Sequence, residues 1–119
     1  MVLVDTSVWV THLREGSRSL ETLLQDAQVM CHPFVLGELA CGNIRNRKEI
    51  LSLLRVLPMA PAVSLDEVLY FIEHNGLMGT GIGLVDVHLL ASTAVAGLPI
   101  WTSDKRLRAA AVKLGLSYT

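Results

Sequence analysis

Met1-Val2-Leu3-Val4-Asp5-Thr6-Ser7 is the stretch on which the fold turns. Val2, Leu3 and Val4 form a short, continuous apolar run, the pattern of a strand covered on both faces of a parallel sheet. The run stops at Asp5, and Val8-Trp9-Val10-Thr11-His12-Leu13 then takes up a helical period. Asp5 therefore stands where a central strand hands over to a helix. In open α/β sheets this edge, outside the carboxyl ends of the strands, is where ligands bind. Asp, Thr and Ser also accept hydrogen bonds from the free N–H groups of a helix start, so a plain capping role for Asp5 stays open at this point.

The rest of the chain repeats the strand-then-helix rhythm. A first helix is expected over 7–14, ended by Gly16. Ser17 or Ser19 opens a second helix carrying Leu20, Leu23 and Leu24. Val29-Met30-Cys31 reads as a strand, and Pro33 suits the first turn of a helix running to Cys41. A fourth helix spans 46–56, and a short strand fits around Met59-Ala60, between Pro58 and Pro61. Ser64-Leu65-Asp66-Glu67 is a capping box opening the next helix, closed by Asn75-Gly76. Residues 76–83 hold four glycines and read as a mobile loop. A helix over 84–96, a strand over 98–102, a helix over 105–114 and a last strand at 116–118 complete the chain. This alternation predicts a single domain over 1–119, with a central parallel sheet of four or five strands in a three-layer α/β/α sandwich.

Composition narrows the classes. The chain has 119 residues, enough for one core and too few for two. It is 51% hydrophobic and only 18% charged, against roughly 25% charged in an ordinary globular domain. That excess of apolar side chains points to a second copy or a dedicated partner. The longest apolar stretch, 83–101, is interrupted by Asp86, His88 and Pro99, which argues against a membrane span. No secretory signal pattern opens the chain. Two cysteines, Cys31 and Cys41, make no disulfide framework and fit a reduced, cytoplasmic setting. The formal net charge is −1. If four acids gather round metal ions, ten basic groups face seven remaining acids, which permits binding of RNA.

Four carboxylates stand out by position. Asp5 and Asp104 each follow an expected strand. Glu38 lies in the otherwise uncharged Phe34–Cys41 stretch, and Asp86 is the one carboxylate of Gly83–Leu90. A carboxylate in apolar surroundings finds a cation or a raised pKa, unless it faces water. Asp104 or Ser103 also suits the cap of the last helix. A cluster of oxygen ligands alone suits Mg²⁺ or Mn²⁺. Such ions lower the pKa of a bound water and, in pairs about 3.5–4 Å apart, stabilise the leaving oxygen of a phosphoryl displacement. Thr102 is placed to hydrogen-bond one of the acids. The four histidines, His12, His32, His74 and His88, show no zinc spacing. Trp9 reads as core or as groove lining.

These residues carry a resemblance. Asp5-Thr6-Ser7-Val8-Trp9, Glu38-Leu39 with Gly42, Asp86-Val87-His88-Leu89-Leu90-Ala91-Ser92-Thr93-Ala94, and Thr102-Ser103-Asp104 follow one another as in PIN-domain ribonucleases. The chain resembles most closely the VapC toxins of toxin–antitoxin pairs, over nearly its whole length. The resemblance implies Mg²⁺- or Mn²⁺-dependent cleavage of RNA, with Asp5, Glu38, Asp86 and Asp104 as the acidic cluster and Thr102 in support. It also implies a homodimer and a cognate VapB-like antitoxin whose tail fills the groove beside the site. Many relatives carry a further Asp two residues past the fourth acid, followed by Phe. Here Arg106 and Leu107 take those places, which removes a ligand for a second metal and makes Arg106, with Arg14 and Lys105, a candidate for substrate phosphate.

Rival classes fit less well. A receiver domain needs paired early acids and a phospho-accepting Asp at a mid-chain strand end, but Asp66 sits in a helix cap. A haloacid-dehalogenase-type phosphatase needs Asp at position 7, which is Ser7. The remaining alternative is a non-catalytic PIN-like module that binds RNA or protein.

Overall fold

The computed structural model describes residues 1–118. Its centre is strand β1 (Val2–Val4). Successive strand residues point to opposite faces of a sheet, and all three of these are at most 1% exposed. Both faces of the sheet are therefore covered. β1 is flanked by β2 (Val29–Met30) and β3 (Ile100–Trp101) in the order β2-β1-β3, all parallel. Val2 pairs with Val29 and Leu3 with Met30 on one side, while Leu3 pairs with Ile100 and Val4 with Trp101 on the other.

The expected four or five strands are corrected to three among the described residues. The segments at 59–60 and 116–118 each contribute one parallel bridge, Met59 to Cys31 and Ser117 to Ile100. Proline explains the short inner edge. Cys31 N–H donates to Pro58 O at 2.8 Å and Ala60 N–H to Cys31 O at 2.7 Å, but the next donors due on either side of this bridge are Pro58 and Pro33, which have no N–H. At the other edge, Ile100 N–H donates to Leu116 O and Tyr118 N–H to Ile100 O.

Among the described residues seven helices surround the sheet: α1 (Thr6–Glu15), α2 (Arg18–Gln25), α3 (Pro33–Cys41), α4 (Arg47–Arg55), α5 (Leu65–His74), α6 (Leu84–Ala96) and α7 (Lys105–Lys113). α1 packs on α3 and α3 on α4, while α5 packs on α6 and α6 on β3. The caps follow the sequence. Ser17 Oγ accepts from Leu20 N–H, and both halves of the Ser64/Glu67 capping box are formed. α6 is buried continuously from Val87 to Thr93, the mark of a helix enclosed on all sides. One hydrophobic cluster runs from Val2 on β1 to Ala111 on α7. Trp9 lies in it, as core, with its indole N–H lacking a partner among the described residues.

His32, assigned no role by the sequence, ties α3 to α6 from the inside. It is fully buried at the N-cap of α3. Its Nδ1 accepts from Phe34 N–H at 2.9 Å, so Nε2 carries the proton and donates to Ser92 Oγ at 3.0 Å. Burial, and then the neighbouring His88, push the His32 pKa down to about 4. The unfolded chain thus takes up a proton near pH 6.5 that the folded chain refuses until about pH 4, and stability contributed by His32 is lost as pH falls through that window. Relative to the parent, His32→Asn should lose less thermal midpoint between about pH 6.5 and 4.5, as read by circular dichroism melts. At neutral pH the same variant should be destabilised by about 1–2 kcal/mol, since it leaves Ser92 unpartnered.

Candidate active site

Parallel strands place the ends of β1 and β3 at the same edge of the sheet, and the backbone joins them there. Asp5 N–H donates to Trp101 O at 2.9 Å. Asp5 occupies the N-cap position of α1, yet its side chain makes no capping bond. Its Oδ2 instead accepts two hydroxyls, from Ser7 at 2.8 Å and from Thr102 at 2.7 Å. The carboxylate is 5% exposed, and two donors on one oxygen are what a buried anion requires. The simple capping role for Asp5 is excluded.

Thr102 joins three groups. It is buried, donates to Asp5, lies 3.3 Å from Ser7 Oγ and accepts from Asp104 N–H at 3.0 Å. Ser7 Oγ in turn accepts from Ser103 N–H. Hydroxyls from α1 and from the turn after β3 thereby lock the two strand ends together. Asp104 keeps its capping function, with Oδ1 accepting from Leu107 N–H at 2.9 Å and the residue itself exposed. Glu38 is exposed on α3 rather than held in apolar surroundings. Thr6 Oγ1 donates to its Oε1 at 2.7 Å, and this brings α3 to the start of α1. Sequence reasoning named Thr102 but treated Thr6 and Ser7 only as a lead-in to the helix. Their signal was the hydroxyl pair directly following the acid.

Asp86 sits in the first turn of α6, half-buried. Burial raises its pKa to about 6, with further increments from the negative charges of Asp5, Asp104 and Glu38 and an opposing pull from the Gly83 backbone. The four acids thus share one electrostatic neighbourhood. No group of three His, Cys, Asp or Glu side chains closes to metal-binding distance among the described residues.

The glycine loop meets α7 beside the site. It is anchored by the buried Leu77, whose carbonyl accepts the Thr80 hydroxyl at 2.7 Å. Gly81 has φ +85 and favours glycine for that reason; Arg106 Nη1 lies 3.5 Å from its carbonyl. Arg14, a candidate for substrate phosphate, lies instead in the last turn of α1, about 13 Å along the helix axis from Asp5.

The raised pKa of Asp86 sets a sign. The folded chain holds a proton from about pH 6 that the unfolded chain binds only near pH 4, so this group stabilises on acidification and destabilises at neutral pH. In metal-free protein at about pH 7.5, Asp86→Asn should raise the thermal midpoint by roughly 3–6 °C. Between about pH 6 and 4.5 that gain should vanish, as read by scanning calorimetry.

Comparison with known proteins identifies the family and the fold. Residues 2–113 match the PIN domain family. Ribonuclease VapC32 of Mycobacterium tuberculosis, in strains CDC 1551 / Oshkosh and ATCC 25618 / H37Rv, is 48% identical over 118 residues, covering 98% of this chain and 95% of the relative. The crystal structure of PAE2754 from Pyrobaculum aerophilum superposes with a TM-score of 0.63 at 16% identity, over 97% of this chain and 88% of that one, and shares the fold. With a family match over nearly its whole length and a relative identical at almost every second position, this chain belongs to the PIN domain family, in its VapC group.

Proposed function

We propose that the chain is a divalent-metal-dependent endoribonuclease of the toxin type, cutting RNA phosphodiester bonds at Asp5, Glu38, Asp86 and Asp104. What supports the reading most is the electrostatic convergence on Asp86, whose pKa is raised by the other three acids at once. Four carboxylates in one electrostatic neighbourhood repel each other and any phosphate, and a divalent cation removes both penalties. The donor set, hard oxygens alone, fits Mg²⁺ or Mn²⁺. When bound, the ion supplies Lewis acidity and a water of lowered pKa for attack on phosphorus. The chain supplies the framework. Ser7 and Thr102 fix the orientation of the Asp5 carboxylate, and Thr6 fixes that of Glu38. Thr102 is a positioning residue in this scheme, acting through Asp5.

The reading extends to partners. A VapB-like antitoxin restrains the enzyme, and two copies of the chain form a homodimer. Leu65, Leu69 and Tyr70 on α5 and Val95 on α6 are exposed, and a groove of about 500 Å³ runs between these helices. Apolar surface of this kind favours association. No helix among the described residues is long and apolar enough to cross a membrane, and we assign the protein to the cytoplasm.

Asp5→Asn and Asp86→Asn should each lower Mn²⁺-dependent RNA cleavage by about 100-fold or more, scored by gel on RNA with purified protein, while circular dichroism stays at the parent's. Undiminished cleavage in either variant would exclude the site. Light scattering at high concentration should give the mass of two chains, and a single-chain mass would exclude the dimer.

A further inference from the structure

We propose that the groove between the glycine loop and α7 holds the RNA strand next to the bond being cut, gripping its phosphodiester groups through Lys105, Arg106 and Lys113. The inference rests on the ribonuclease reading above and adds where the substrate lies. The groove has a volume of about 300 Å³ and is lined by Leu77, Thr80, Lys105, Arg106, Ala110 and Lys113. Its floor is apolar and its rim cationic, which matches the alternation of base and sugar with phosphate in a single strand.

Three features favour this occupant. First, Asp104 is the N-cap of α7, so the groove lining begins at Lys105, one residue from that acid. Lys105, Ala109 and Lys113 recur every four residues and share one helix face; Lys105 to Lys113 spans about 12 Å, enough for more than one phosphate. Second, α7 carries Lys105, Arg106, Arg108 and Lys113 without a single acid. Like charges so spaced repel each other along a helix, and a bound polyanion relieves that repulsion. Arg108 lines a separate pocket with Trp101 and Tyr118, leaving the other three on the groove. Third, Arg106 reaches over the loop, where its Nη1 meets the Gly81 carbonyl at 3.5 Å. A hydrogen bond of that length is weak, and a phosphate oxygen offers the guanidinium a stronger partner.

The test compares the parent with the combined variant Lys105→Gln, Arg106→Gln, Lys113→Gln. Binding of a labelled single-stranded RNA is followed by fluorescence anisotropy in EDTA across a salt series. The three residues are exposed and glutamine is helix-compatible, so folding should be kept. The slope of log affinity against log salt should shrink by about 2, since each cation that no longer neutralises a phosphate on a single strand removes about 0.7. Affinity near ~100 mM salt should fall roughly tenfold or more. In Mn²⁺, KM should rise while kcat stays within about twofold. Arg18→Gln, at the start of α2 beyond the far end of α1, should leave all of these quantities unchanged. A combined variant with parental affinity and slope overturns the groove assignment, and that is also the outcome if an acidic protein segment is the occupant. A parent chain that cuts RNA while the combined variant keeps its KM overturns the groove alone. A parent chain that cuts no RNA removes the ribonuclease reading and the groove with it.

Discussion

The structure depends on how one buried carboxylate is satisfied. Asp5 stands at the end of the central strand, almost out of contact with water, and both of its donors are hydroxyls reaching Oδ2. Hydroxyls leave the negative charge in place, whereas a lysine or arginine would cancel it. Ser7 comes from α1 and Thr102 from the end of β3, so satisfying the acid also welds the first strand–helix junction to the last. The hydrogen bonds from Thr102 to Asp5 and from Asp104 N–H to Thr102 then carry the order onward to α7. The carboxylate is thus oriented by neutral hydroxyl donors from two distant segments of the chain.

Much of this was legible in the chain. Val2–Val4 followed by Asp5 announced a central parallel strand, and the capping box at Ser64 announced α5. Asp5 and Asp104 were singled out because each follows a strand, Glu38 and Asp86 because each interrupts an apolar stretch. The sheet was overcounted for a physical reason: propensity says that a segment will be extended, but whether it forms a ladder depends on amide donors, which Pro33 and Pro58 lack beside the Met59 bridge. Two further features escaped pattern reading. His32 looks like any other histidine until α6 brings Ser92 to its Nε2, a contact across 60 positions of sequence. Glu38 in an uncharged stretch suggested burial, yet α3 turns that face outward and a threonine 32 positions earlier in the chain orients it.

Acidic and basic side chains meet at the junction of β3 and α7. Asp104 caps α7 through Leu107 N–H, and α7 itself carries Lys105, Arg106, Arg108 and Lys113 with no acid among them. Arg106 Nη1 lies 3.5 Å from the Gly81 carbonyl, which joins this helix to the glycine loop.

The outermost pairings of the sheet have a further consequence. Each is a single bridge rather than a ladder, so neither border offers a row of free amides and carbonyls for a foreign strand to copy. A chain with 51% hydrophobic residues is otherwise at risk of polymerising edge to edge. Here the single bridges leave little border to extend, and exposed apolar side chains lie instead on helices, Leu65, Leu69 and Tyr70 on α5 and Val95 on α6 among them.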